Sequence, residues 1–519
     1  MEKRSSTSES GLSGRWSSRL LILAILGALF LTLFPFHFVL HARVPGNRSP
    51  FLLGGRGKDS SWWNVFLNVL LFIPFGFALS DKLRERGRSW AETAGWSLLL
   101  GALFSYGIEF LQLYTTGRDS GWEDILTNGT GAMLGSISFL LWGGSILSHL
   151  SKSEGALESL LTRRRAIAVI TTYFAAWFAL SALVQMETRL SNWHPEDLLI
   201  VGNDAAGGLH SSWKGEVFRL QFWNRALPEE IAPRLHSGDT VPDLQTGLLV
   251  SYDFSAPGSL RDQKAFLPGL SWAPGPPDQA DPPYVALDGK NWLTSQIPVP
   301  NLVNAVQKAN QFAVRVVFKP LEISGIDASI VSLSRRKPNL VDVEIGQQNT
   351  TLILRLRNSL AGNRSAFVWL ERNTLAPNQA VDLLFSYDGA TASLYLNGTP
   401  MRSYRLGPGA LVGRFVHDVR PSALDLYACG YYFAVFFAGG ILTGIAARNI
   451  QPRRPRIAFL TLGILIPALL LEFTLVGVSG RSISFGFTAF SIAVGIAGAV
   501  WINAGAQPQR DGDHAFARV

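Results

Sequence analysis

The chain has 519 residues, of which 47% are hydrophobic and 16% charged, with a formal net charge of +8. That is too apolar for one soluble globule, yet the centre of the chain has ordinary globular composition, so a membrane protein carrying a soluble domain is expected. The surplus of Lys and Arg sits in short runs beside apolar segments, where it sets membrane orientation and does not call for nucleic acid. The single cysteine, Cys429, lies in an apolar segment, which excludes an intrachain disulfide and a cysteine metal site. Eight scattered histidines have no ligand spacing, so no metal or cofactor is expected.

Taken in order, a polar, basic N-terminus leads into the first apolar run, which is too long for the core of a cleaved secretory signal and reads as an uncleaved helix. Eight stretches reach the length that crosses a bilayer core: 20–40, 62–79, 94–113, 125–147, 166–186, 424–446, 457–477 and 484–503. Basic clusters precede the first helix (Arg4, Arg15, Arg19), follow the second (Lys82 to Arg88), precede the fifth (Arg163 to Arg165) and follow the sixth (Arg448 to Arg456). An inside N-terminus puts all four on the cytoplasmic side, with both termini cytoplasmic and residues 187–423 outside. The expected organisation is a four-helix unit over 1–150, a linker and fifth helix over 151–186, an extracytoplasmic domain over 187–423, and three helices with a cytoplasmic tail over 424–519.

The 187–423 segment reads as an all-β, jelly-roll-type sandwich, with strands such as 312–318, 351–356 and 380–385 separated by Asp-Gly, Asn-Gly and Pro-Gly turns. Trp213-Lys214-Gly215-Glu216-Val217 with Trp223-Asn224-Arg225-Ala226-Leu227 resembles the closing strand of the laminin-G/concanavalin A-like lectin family. Tyr252-Asp253-Phe254 resembles that family's opening strand, and Tyr387-Asp388-Gly389 with Leu394-Tyr395-Leu396-Asn397-Gly398 its penultimate hairpin. Because the closing phrase comes first, one circularly permuted sandwich is expected. The resemblance implies glycan binding. Trp213, Trp223, Trp292 and Trp369 are candidates to stack on sugar or to fill the core, and Asn203 and Asp204 are read as a turn or a calcium site.

The helices contain a repeat. Phe72 to Gly76 aligns with Phe436 to Gly440 at an offset of 440 − 76 = 364. Glu109 with Glu472, Gly117-Arg118 with Gly480-Arg481, and Gly135 with Gly498 align at 472 − 109 = 363. Helices five to eight are therefore expected to be a degenerate, parallel copy of helices one to four. The second copy keeps Glu472 and Arg481 but has Tyr432 opposite Asn68, Leu475 opposite Gln112, Phe487 opposite Asp124 and Ser491 opposite Asn128. The Glu–Arg pair is then a shared structural clasp, and the residues found only in the first copy are the functional candidates.

Polar groups in hydrocarbon are costly unless paired or facing a wet cavity. Glu109 and Gln112 share a helix face, Asp124, Asn128, Gly131 and Gly135 form a second stripe, and Asn68 and Pro74 lie on the second helix, so all are expected to converge on a shallow, outward-opening pocket. Asn68 with Phe-x-Pro-x-Gly (Pro74, Gly76), then Glu109-x-x-Gln112, Arg118, Asp124, Asn128 and Gly131-x-x-x-Gly135 resembles the VanZ family of bacterial membrane proteins over residues 20–147. The family's namesake is associated with teicoplanin resistance, and the resemblance implies the bacterial cytoplasmic membrane and cell envelope as the setting. Three functions fit. In one, Asn68, Gln112, Arg118, Asp124 and Asn128 bind the polar head group of a lipid-linked cell-wall or polysaccharide intermediate while the sandwich binds glycan. In another, a membrane enzyme uses Glu109 and Asp124 as acid and base. In the third, the helices are a scaffold displaying a carbohydrate-binding domain.

Overall fold

The computed structural model describes residues 3–33, 62–115, 121–207, 211–239, 242–255, 260–276, 284–323, 325–336, 340–361, 366–410 and 424–504. Eight long helices are present among them: α1 (Lys3–Leu33), α2 (Trp62–Glu85), α3 (Trp90–Gln112), α4 (Trp122–Leu160), α5 (Arg163–Met186), α6 (Leu424–Arg448), α7 (Arg453–Ser479) and α8 (Phe485–Asn503). All eight are long and apolar enough to cross a membrane. Leu103, Leu141 and Leu183 are more than half exposed, as expected of side chains that face lipid tails.

α1 starts earlier than its apolar run, and residues 34–40 of that run lie outside the described residues. α4 continues past 147 to Leu160, for about three and a half further turns at 3.6 residues each. Salt bridges engage this extension: Glu154 pairs with Arg19 at 2.9 Å and with Arg448 at 2.8 Å, and Arg19 is only 3% exposed. α3 begins with a capping box in which Ser89 and Glu92 satisfy each other's backbone N–H groups.

Between α5 and α6 lies a β-sandwich of two antiparallel sheets. One runs β11 (Phe367–Glu371), β10 (Thr351–Leu356), β9 (Leu340–Gln348), β8 (Ala328–Arg335), β1 (Leu198–Val201), β6 (Trp292–Thr294), β4 (Ser271–Ala273). The other runs β14 (Thr399–Arg405), β13 (Thr391–Leu396), β12 (Val381–Tyr387), β7 (Phe312–Pro320), β2 (Lys214–Trp223), β3 (Leu248–Asp253), with β5 (Val285–Asp288) also pairing β2. The earliest strands are thus interior ones: β1 is hydrogen-bonded between β8 and β6, and β2 between β7 and β3. This makes one sandwich of the whole segment, with a continuous core from Leu199, Val217, Leu220 and Phe222 through Phe312, Val316, Phe318, Leu383 and Phe385. The Asn397-Gly398 turn joining β13 to β14 has both residues at positive φ, +50° and +75°, the backbone that Asn-Gly adopts readily.

The chain divides into two compact units, Met1–Thr171 with Phe437–Ile464 and Val494–Val519, and Thr172–Phe436 with Leu465–Ala493. Within the second, the end of α7 is bound to the sandwich: Asn310 Nδ2 donates to Ser479 O and Gln311 Nε2 to Gly480 O, each at 2.7 Å. Arg189 donates to Val478 O at 3.1 Å.

Candidate functional site

α2, α3 and α4 pack so closely because glycines line their contacts. A Cβ added to Gly131 would stand 2.3 Å from Val69 O, one on Gly135 2.1 Å from Ile73 O, and one on Gly76 1.8 Å from Ala132 O. No side chain larger than hydrogen fits there, which is the packing that small-residue stripes permit in membranes.

Steps of one turn along this seam define four levels. At the first, Asn68 Nδ2 donates to Asp124 Oδ1 at 2.6 Å, and Glu109, 2% exposed, accepts the backbone N–H of Gly121 through Oε2 at 2.9 Å. One turn in, Asn128 Nδ2 donates to Ser105 Oγ at 2.8 Å, and Asn128 Oδ1 has no partner among the described residues. The third level is Gly76, Gly101 and Ala132; a Cβ on Gly101 would lie 2.5 Å from that of Ala132. At the fourth, Ser80 Oγ and Ser97 Oγ are 3.2 Å apart, and Ser136, one turn beyond Ala132 on α4, is buried.

Of the residues singled out in the sequence, Asn68, Glu109, Asp124 and Asn128 share this stack. Gln112 is buried but engaged elsewhere, its Nε2 donating to Thr32 O on α1 at 3.0 Å, so it fastens α3 to α1. Pro74 lies inside α2 and is exposed. Arg118 lies outside the described residues. Sequence reasoning missed Ser105, Ser97 and Ser80. The signal was present: Thr93, Ser97, Gly101, Ser105 and Glu109 recur every four residues and all are buried.

The same levels recur in α6, α7 and α8 with different side chains. Gly440, like Gly76, would bring a Cβ within 2.1 Å of a backbone oxygen, that of Gly495 at the position matching Ala132. Gly498, like Gly135, packs on Phe437 O and Ile441 N, the positions matching Ile73 and Phe77. Glu472 accepts the N–H of Ser484 as Glu109 accepts that of Gly121, and it pairs with Arg481 at 2.8 Å. The other polar residues, however, are replaced, except that Ser491, matching Asn128, is polar and buried. Tyr432 and Phe487, matching Asn68 and Asp124, stack at 4.8 Å between ring centroids. Ala468 stands for Ser105, Gly444 for Ser80, Leu460 for Ser97 and Ala499 for Ser136.

In the sandwich, Trp213, Trp223 and Trp369 are at most 2% exposed and belong to the core, so they present no face to a sugar; Trp292 is half-buried. Trp213 is held by its Nε1–H to Gln347 Oε1 at 2.6 Å and Trp223 by its own to Leu244 O at 2.9 Å, which satisfies both buried indole donors. Asn203 Oδ1 accepts the N–H of Asp204, and Asp204 Oδ1 that of Ala206, the bonds of a turn.

A cleft of about 260 Å³ opens instead on the solvent face of the second sheet. A bulge between Val217 and Arg219 turns Phe218 and Arg219 into it together, re-aiming side chains as bulges do. Arg315 grips Asp382 with two hydrogen bonds, at 2.8 and 2.7 Å, and His236 reaches the same carboxylate at 3.2 Å. Asp253 meets Arg219 at 3.4 Å and accepts from Ser255; these bonds hold its carboxyl below the usual range although burial opposes them.

Eight membrane-length helices with glycine-packed seams and a large sandwich between the fifth and sixth define a polytopic membrane protein with an added β domain. Residues 10–143 match the family model VanZ/LLP1, so this part of the chain is a VanZ-like domain, extended by the sandwich and by further helices. No curated protein and no solved structure matches the chain.

Proposed function

We propose that the polar levels of α2–α4 bind the head group of a lipid-linked envelope intermediate at the outer face of a bacterial cytoplasmic membrane, and that the sandwich contacts the glycan of that intermediate. The observation that carries the reading is the duplicate. α6–α8 repeat the glycine contacts and the Glu-to-backbone bond of α2–α4 while replacing Asn68, Asp124, Ser105, Ser80, Ser97 and Ser136 with apolar or aromatic side chains or glycine. Helix packing of this kind therefore does not require those polar groups, and polar groups kept inside a membrane without structural need mark a ligand site.

In this reading α5–α8 are a degenerate second copy of α1–α4, and the basic clusters keep both termini cytoplasmic and the sandwich outside. The cleft beside Phe218 supplies an apolar ring face with carboxylate, guanidinium and amide groups around it, the combination that suits a hexose. The test is binding of the purified full chain to lipid-linked cell-wall and polysaccharide precursors, with and without Asn128→Leu. Reduced binding by the variant is expected; equal binding would remove this site from recognition.

A further inference from the structure

The cleft beside Phe218 is open to a solute, and its polar groups divide into acceptors that are already engaged and donors that are not. Asp382 Oδ1 accepts from Arg315 Nε at 2.8 Å and Oδ2 from Arg315 Nη2 at 2.7 Å, with His236 Nδ1 3.2 Å from the same Oδ2. Asp253 accepts the N–H and O–H of Ser255 through Oδ1 and meets Arg219 Nη2 through Oδ2. A carboxylate has about four acceptor positions, so little of either is left for a ligand hydroxyl.

The donors stand otherwise. A guanidinium carries five N–H groups, yet Arg219 makes a single hydrogen bond among the described residues, the long one to Asp253 at 3.4 Å, and its side chain is 39% exposed. Asn397 is fixed against Asp382 twice, its N–H donating to Asp382 O at 2.8 Å and its Oδ1 accepting the Asp382 N–H at 2.9 Å. Its Nδ2 has no partner among the described residues and is thereby held ready to donate. Successive side chains of a regular strand take opposite faces; the bulge between Val217 and Arg219 instead brings the Phe218 ring and the Arg219 guanidinium to one cleft.

The apolar lining is Phe218, Val317, Ala380 and Val381, and the volume of about 260 Å³ lies below the roughly 300–1,000 Å³ of pockets for larger ligands. That is the scale of one ring. Asp382 is matched by Arg315 and Asp253 by Arg219, so an incoming anion meets no uncompensated negative charge.

We propose that this cleft takes a single sugar ring bearing an anion, a carboxylate or a phosphate ester, with the ring against Phe218 and the anion on the free N–H groups of Arg219 and Asn397. The proposal rests on the reading that the sandwich contacts glycan, and it names the class of sugar. A guanidinium offers either anion two parallel N–H donors, a stronger pairing than it makes with a neutral hydroxyl.

The experiment titrates the full-length protein in lipid nanodiscs with free hexoses, their uronic acids and their 6-phosphates, in the gluco, galacto and manno series, by saturation-transfer NMR. In at least one series an anionic form is expected to bind about tenfold more tightly than the neutral sugar, the discrimination that one hydrogen bond to a charged group provides. Arg219→Gln, at a half-exposed position, should keep the thermal midpoint and erase the preference.

Equal affinity for neutral and anionic sugars in every series would overturn the anion requirement while leaving glycan contact by the sandwich standing. Undiminished preference in the folded Arg219→Gln variant would overturn the placement of the anion. If that variant does not fold, Arg219→Lys decides, since it keeps the charge and loses the fork: a reduced preference supports the proposal and an unchanged one refutes it. Binding of none of the sugars would overturn the proposal together with the glycan contact it rests on, whereas the membrane helices are judged separately by Asn128→Leu. A uronic acid bound above the 6-phosphate identifies a carboxylate ligand; the reverse identifies a phosphate ester.

Discussion

α2–α4 and α6–α8 solve the same packing problem with opposite interiors. In both, glycine meets a backbone oxygen at about 2 Å from where a Cβ would stand, and a buried glutamate receives the N–H of the residue twelve positions on. One set then fills its levels with Asn, Asp and Ser, the other with Tyr, Phe, Ala, Gly and Leu and a single serine, Ser491, opposite Asn128. The pair works as an internal control: what the two share is architecture, and what only one has is available for function.

The contrast can be broken most severely at the shared contacts. Gly135→Leu and Gly498→Leu each force a side chain into a carbonyl, 2.1 and 2.3 Å from the added Cβ. Each should cost about 3 kcal/mol or more, the upper range for overpacking, because backbone cannot step aside as a rotamer can. Thermal unfolding in detergent, followed by size-exclusion chromatography, should show both variants losing the folded peak; one tolerated and one not would show that the sets are not equivalent.

The glutamates come next. Glu109→Gln and Glu472→Gln should each destabilise by about 2 kcal/mol, the scale of a hydrogen bond to a charged group, and by similar amounts if the clasp is common to both. Chemical denaturation of each variant provides the measurement, and a large inequality would assign Glu109 a role beyond architecture.

The sandwich supplies a third comparison, between a buried acid pair and its neutral substitute. Asp197 and Asp342 are fully buried beside Arg335 and Arg357. Burial first, then hydrogen bonding and charge from Asp342, push the Asp197 carboxyl up to about 10 from its ordinary 3.8. Folded protein then keeps a proton that the unfolded chain releases, so this contribution is complete below about pH 4 and declines as pH rises towards 10, with a limiting slope of about 1.4 kcal/mol per pH unit. Asp197→Asn should flatten that decline in denaturant titrations across pH; an unchanged slope would place the proton elsewhere.

The smallest expected change in stability is the most informative. Asn128→Leu should alter stability by only about 0.6 kcal/mol, the mean for a polar contact between membrane helices, while precursor binding falls. A large stability loss would return Asn128 to the structural class with Glu109.

Much of this was legible in the chain. Eight apolar runs became eight helices, and the offsets of 363 and 364 met matching contacts at Gly135 and Gly498, because period, length and glycine spacing are local properties that survive into the packed state. Side-chain partnership was less legible. Gln112 carries the same sequence signal as Asn128 but reaches Thr32, and the tryptophans of the sandwich gave no sign of which would be buried. The serines of α3 and α2 escaped notice because a serine is unremarkable until two helices put it opposite another.

By itself, the amino-acid order determined the number of membrane helices, the β character of the central segment and the double occurrence of the Glu and glycine pattern, all set by hydrophobic length and backbone geometry. Only the tertiary structure decided that the first strands of the sandwich lie inside its sheets, that Gln112 leaves the polar stack, that a bulge opens a cleft beside Phe218, and that Asn68 faces Asp124 where Tyr432 faces Phe487. These depend on which elements come to lie side by side, and contacts between residues distant in the chain are settled by packing.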